Sequence, residues 1–307
     1  MTTFITPVEK SIGANNAWTD IDCSAEAPSG STGVIVRIRE TGGWANNCGL
    51  RKNGSTDTVT FQIAANAHVY ICIGLDSSRI IEAYSEDNAF HRFDIVGYFG
   101  SEAVFFTNAV AKTPTTGSWQ TVSIASDTGG DTAIGAFIIA KELYNFGLRH
   151  GDSTDTRTFN GGSSQYVVGG IVGCNASEEF DVYSADSGTV WVTGYMTSGV
   201  TFNTNGTDRS LGSTGAYTDL AALPSGAIGG IYYVYGNWND TWALRKNGSS
   251  DDRYLRLPGA ALVECDTSRI VEGEISATTV DFWEQGYFTS TETSTKRRRM
   301  AFVGMGR

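Results

Sequence analysis

The chain has 307 residues, 40% of them hydrophobic and 18% charged, with a formal net charge of −11. That length allows two or three domains with real cores, the composition argues against long disorder, and the acidic balance disfavours nucleic-acid phosphates as partners. Glycine is common at 37 residues and proline rare at 5, which favours tight glycine turns over proline-rich linkers.

The elements read in chain order as short strands. The start, Met1 to Lys10, has no basic stretch followed by an apolar core, so no signal peptide is expected. No stretch approaches the ~18 apolar residues of a membrane helix. Phe4-Ile5-Thr6 opens a first strand, and Trp18-Thr19-Asp20-Ile21-Asp22 alternates as a second. Gly33 to Arg39 is an apolar strand in which Arg37 and Arg39, two apart, share one face. Gly49-Leu50-Arg51-Lys52-Asn53-Gly54-Ser55 ends in an Asn-Gly hairpin turn, because both residues tolerate positive φ. Asp76-Ser77-Ser78-Arg79-Ile80-Ile81-Glu82 and Phe93-Asp94-Ile95-Val96-Gly97-Tyr98-Phe99 complete the series.

The series then repeats. Trp119 and Tyr217 replace Trp18; Gly147-Leu148-Arg149 and Ala243-Leu244-Arg245 replace Gly49-Leu50-Arg51. Asn175 to Asp181 and Asp266 to Glu272 follow Asp76 to Glu82; Gly194-Tyr195 and Gly286-Tyr287 follow Gly97-Tyr98. The Leu-Arg landmarks lie 98 and 96 residues apart, and the Gly-Tyr landmarks 97 and 92. Four landmarks in register three times define three units, 1–101, 102–198 and 199–307, the last with a basic C-terminal strand. About seven or eight short strands in about 100 residues predict an all-β fold of three tandem homologous β-sandwich modules, jelly-roll or Ig-like. Each is expected to carry its own core, like beads on a string. A β-propeller is disfavoured, since its blades are about half this length.

Candidate chemistry is sparse. The five cysteines, Cys23, Cys48, Cys72, Cys174 and Cys265, are neither a disulfide framework nor a zinc motif. Pairing among Cys23, Cys48 and Cys72 stays open, with buried free thiols the expectation. His68, His91 and His150 fall at unrelated places and read as incidental; no metal and no cofactor are expected. Gly-x-Ser-x-Gly, the Walker loop and HExxH are absent. The repeated Arg51, Arg149 and Arg245 either contact an anion or sugar or pair with Asp57, Asp155 and Asp251, six residues on; the pairing is the expectation. Tyr98, Tyr195 and Tyr287 read as buried tyrosines with bonded hydroxyls. Asp76, Asn175 and Asp266 read as turn initiators. Asn53, Asn175, Asn205, Asn239 and Asn247 begin formal glycosylation triplets but read as turns.

Three aromatics in loops before the Leu-Arg landmark, Trp44, Tyr144 and Trp238, are the candidates for surface or glycan contact. Lys296, Arg297, Arg298 and Arg299 are a solvated charge cluster or a docking element for an acidic partner.

At the quoted landmarks, with their Gly/Thr/Ser-rich style, the chain resembles virion structural proteins of tailed bacteriophages, of the capsid-decoration, head-fibre or tail-fibre type. The resemblance implies a non-enzymatic virion component, made in the host cytoplasm, whose partners are other virion proteins and itself as a homo-oligomer. Contact with a host-surface glycan fits the same picture; nucleic acid and membrane do not. A carbohydrate-binding adhesin with repeated weak sites is the alternative, and a glycan depolymerase, needing paired carboxylates in one cleft, the second.

Overall fold

The computed structural model describes residues 1–290 apart from 143–144, 161–165, 187, 238, 252–254 and 257–258. The described residues form strands, turns and irregular segments, with no helix among them. The first repeat holds β1 (Thr3–Lys10), β2 (Trp18–Asp22), β3 (Gly33–Glu40), β4 (Asn46–Lys52), β5 (Phe61–Ile63), β6 (His68–Gly74), β7 (Ile80–Ser85) and β8 (His91–Phe99). The second holds β9 (Ala103–Lys112), β10 (Trp119–Ser123), β11 (Gly135–Glu142), β12 (Asn145–His150), β13 (Phe159–Asn160), β14 (Tyr166–Gly173), β15 (Glu179–Ser184) and β16 (Thr189–Met196). The third holds β17 (Val200–Asp208), β18 (Thr218–Asp219), β19 (Ala227–Tyr235), β20 (Thr241–Lys246), β21 (Leu255–Arg256), β22 (Gly259–Glu264), β23 (Val271–Ile275) and β24 (Asp281–Thr289).

Each repeat contributes two antiparallel four-stranded sheets. The inner sheets run β1-β8-β3-β6, β9-β16-β11-β14 and β17-β24-β19-β22. The outer sheets run β2-β7-β4-β5, β10-β15-β12-β13 and β18-β23-β20-β21. On the axis the inner edge strands β6, β14 and β22 touch one another. Around it the sheets follow in a ring. The first outer sheet, through β4 and β5, meets β9 and β14 of the second repeat, and β12 and β13 of the second outer sheet meet β17 and β19 of the third. The ring closes where β1 meets β19 and where the first and third repeats share an ion pair between Arg37 and Asp251.

This corrects the expectation of three β-sandwich modules in series, jelly-roll or Ig-like. Six small sheets stand as blades about one axis, a propeller-like ring with two blades per repeat. Blade length therefore does not exclude such a ring, because each unit of about 100 residues supplies two blades. The inner sheets show why the repeats do not stand alone. Along β3, Val34, Val36 and Ile38 turn to one core and Ile35 to another, and all four are 0% exposed. The first of these cores includes the repeat's own outer sheet. The second draws on all three repeats, with Phe99, Phe137 and Phe288 in one cluster. A strand buried on both faces reads as a continuous apolar run whichever neighbour covers it.

The landmarks are architectural. Arg51, Arg149 and Arg245 lie directly across from Glu82, Asp181 and Glu272 on the adjacent strand. Their Nε atoms donate to those carboxylates at 2.9, 2.9 and 2.8 Å. The guanidinium carbons sit 4.3, 4.2 and 3.4 Å from the ring centroids of Trp18, Trp119 and Tyr217. The expected partners, Asp57 and Asp155, supply only backbone carbonyls to Arg51 and Arg149. Their side chains serve the seams between repeats. At the third landmark, Asp76 and Asn175 accept from backbone N–H groups two and four residues on, and Asp266 from the one four on. Arg79, Glu178 and Arg269 there share a left-handed φ of 67°, 60° and 66°. At the fourth, a Cβ on Gly97, Gly194 or Gly286 would fall 2.7, 2.2 or 2.3 Å from a carbonyl oxygen of the adjoining strand. Only glycine permits that approach.

Candidate functional site

Trp44 is 81% exposed, in the loop between β3 and β4. It is one of four exposed large hydrophobic residues among those described, with Met1, Val8 and Phe90. Tyr144, Trp238 and the run Lys296, Arg297, Arg298 and Arg299 lie outside the described residues. All five cysteines are free and buried. Burial pushes the Cys23 thiol up to about 12, which makes it a poor nucleophile at neutral pH. Among the described residues no group of three or more His, Cys, Asp or Glu could hold a metal. Tyr195 is buried with its hydroxyl 2.9 Å from the Thr128 carbonyl and 2.8 Å from Asp131. Tyr98 and Tyr287 are only half-buried.

One arrangement was not legible in the sequence. Ser85 Oγ lies 2.6 Å from His91 Nδ1, and His91 Nε2 lies 3.1 Å from Glu40 Oε2. This is the order of a hydrolytic triad, but Ser85, His91 and Glu40 are 0%, 0% and 1% exposed. Burial lowers the His91 imidazole to about 4 and raises the Glu40 carboxyl. Glu40 also accepts from the Gly42 N–H and the Asn46 amide. The three groups brace the end of the β3–β4 connection, and no substrate reaches the hydroxyl in this arrangement.

The seams between repeats hold the most distinctive geometry. In each, a phenylalanine near the start of one repeat enters a glycine site of another. A Cβ on Gly33 would lie 2.2 Å from Phe105, one on Gly135 2.5 Å from Phe202, and one on Gly229 2.4 Å from Phe4. The series runs second onto first, third onto second, and first onto third, so it is cyclic.

Two of the seams also carry a polar clasp. Asn108 Oδ1 accepts from Ser55 Oγ and from the Thr56 N–H, both at 2.9 Å, while the Ala109 N–H donates to Asp57 at 2.7 Å. The next seam repeats this. Asn205 Oδ1 accepts from Ser153 Oγ at 2.8 Å and the Thr154 N–H at 2.9 Å, and the Gly206 N–H donates to Asp155 at 2.8 Å. Asn205, read from sequence as a turn, is thus a strand residue that ties two repeats together.

At the closing seam both parts of the clasp are missing. Phe105-Phe106-Thr107-Asn108-Ala109-Val110 corresponds to Phe4-Ile5-Thr6-Pro7-Val8. Proline replaces the asparagine, and the residue whose N–H reached the aspartate is absent. The registers agree: Phe105 to Val110 spans six residues against Gly194 to Val192, whereas Phe4 to Val8 spans five against Gly97 to Ile95. Asp251 is met instead by Arg37 Nη1 at 2.9 Å. Arg37 is 3% exposed and also pairs with Asp94, which is 0% exposed and accepts from Arg39 as well. The result is a cavity of about 390 Å³, lined among others by Pro7, Arg37, Tyr70, Ser249, Ser250 and Asp251. The corresponding space at the first seam, lined by Asp57, Thr107 and Ala109, is about 10 Å³.

No family model matches the chain, and no curated protein matches it. Two solved chains are similar over most of their lengths, and both come from virus structures. One, from the atomic structure of Sulfolobus Turreted Icosahedral Virus, is 10% identical, with 92% of this chain and 91% of that chain covered and a TM-score of 0.25. The other, from the X-ray structure of the entire lipid-containing bacteriophage PM2, is 8% identical, with 95% and 89% covered and a TM-score of 0.18. Likenesses this low carry no argument about what this chain does.

Proposed function

We propose that the protein is a non-enzymatic structural and interaction component of a phage-like virion, a capsid decoration or a tail or fibre protein. The observation that supports this reading is cyclic closure. Three repeats of one chain form a single block with approximate three-fold symmetry, and the repeated arginines, aromatics and acids are used to hold the outer sheet of each repeat. Such a block matches the symmetric surroundings of a particle, where partners meet it three at a time. Its partners in this reading are other virion proteins and further copies of itself.

Immunogold electron microscopy of lysates from the source culture tests the reading. Gold on particle heads fits decoration, and gold at tails or fibre tips fits host recognition. Gold on cell surfaces with bare particles overturns it. The exposure of Trp44 favours a second reading, a glycan-binding adhesin, since an exposed indole face can stack on a sugar ring. Substituting Trp44, Tyr144 and Trp238 together by Ala then abolishes glycan binding without unfolding. Unchanged binding removes those residues from the reading.

A further inference from the structure

We propose that the closing seam is a binding site for a small ligand that presents a carboxamide or carboxylate oxygen. The ligand takes the place that Asn108 and Asn205 fill at the other two seams. The hairpin of the third repeat keeps the donors of the clasp. Ser249 corresponds to Ser55 and Ser153, and Ser250 to Thr56 and Thr154. In the first two hairpins the hydroxyl and the following N–H converge on one asparagine oxygen. In the third, Ser249 Oγ accepts from the Asp251 N–H, as Ser55 Oγ does from Asp57, so the local turn is preserved. What differs is the acceptor, removed by Pro7 and the shorter bulge.

The space left is about 390 Å³, within the ordinary range of small-molecule pockets, roughly 300–1,000 Å³. Tyr70 and Arg37 are each 3% exposed, and Arg37 is held between Asp94 and Asp251. Lys246 is held by Glu264 at 2.7 Å. Donors that correspond in sequence to those of the sister hairpins, beside this wall, select an sp² oxygen, the group that two sister sites already use.

The test is titration of the full ¹⁵N-labelled chain with N-acetylasparagine amide and, separately, N-acetylaspartate amide, following the Ser249 and Ser250 amide signals. Saturable shifts at these two signals with either probe are expected; the tighter probe identifies a neutral or an anionic oxygen as preferred. A second chain carries Asn-Ala in place of Pro7, restoring both clasp residues, and loses the shifts because its own asparagine fills the site. Ser249→Ala, which removes one donor together with the acceptor of the Asp251 N–H, weakens binding about tenfold. No saturable shift with either probe overturns the proposal. So do shifts of equal size and midpoint in the Asn-Ala chain, or undiminished affinity in Ser249→Ala.

Discussion

The first and closing seams join the same surfaces by different means. At the first, a buried Phe105 meets Phe99 of the first repeat at 5.7 Å while stacking on Phe137 of its own repeat, with centroids 4.6 Å apart and planes 5° apart, and an Asn clasp seals the rim. At the closing seam Phe4 is half-buried and meets Phe288 edge-on at 5.6 Å, while Arg37 bridges two acids behind an open cavity. A seam between successive repeats can rely on packing and short hydrogen bonds. The seam joining the first repeat to the last has instead a buried charge network, whose value depends on every partner staying in place.

That contrast can be broken at several points. The largest effect is expected from Asp94→Asn. It leaves Arg37 and Arg39 with a neutral partner in a buried setting and costs about 3–5 kcal/mol, read by chemical denaturation. Phe105→Ala, which opens a cavity at the packed seam, costs about 3–5 kcal/mol, and Phe4→Ala distinctly less because its ring is already partly solvated. Equal losses for the two phenylalanines would show that the seams are packed alike.

Acid provides a marker within the first repeat. The His91 imidazole is held near 4, below its ordinary 6.5, so the folded state keeps it neutral while the unfolded state takes up a proton. Stability is therefore full above pH 6.5 and falls by up to about 3 kcal/mol as pH drops towards 4. Glu40, raised by burial, offsets part of that loss. His91→Gln flattens the profile between pH 6.5 and 4; a slope unchanged by the substitution assigns it to other groups. The smallest effect separates the clasps. Asn108→Ala and Asn205→Ala each cost about 1 kcal/mol through lost hydrogen bonds, and Pro7→Ala stays within about 0.5 kcal/mol. A loss at Pro7 as large as at Asn108 would show that the proline also holds its seam.

The repeat was fully legible because its landmarks are chemically specific. An arginine between a cross-strand acid and an aromatic ring constrains three positions at once, so Arg51, Glu82 and Trp18 recur together. The acid itself was misassigned. Asp57 lies six residues from Arg51 and looked like its partner, whereas Glu82 is 31 residues away and becomes adjacent only through strand register. The Ser85, His91 and Glu40 cluster was hidden for the same reason, since Glu40 and His91 are neighbours only by the pairing of β3 with β8.

The sequence by itself determined a threefold-repeated, all-β, acidic chain with turns at known places. Those properties depend on residue type, spacing and local backbone preference. Tertiary structure alone decided that the repeats close into a ring of six sheets, because apolar strands such as Gly33 to Glu40 do not record which neighbour covers their second face. It alone also gave meaning to Pro7 and the missing residue beside it. Where successive repeats meet, Asn108 and Asn205 close the gap, and where the ring closes on itself the corresponding serines, Ser249 and Ser250, line a cavity.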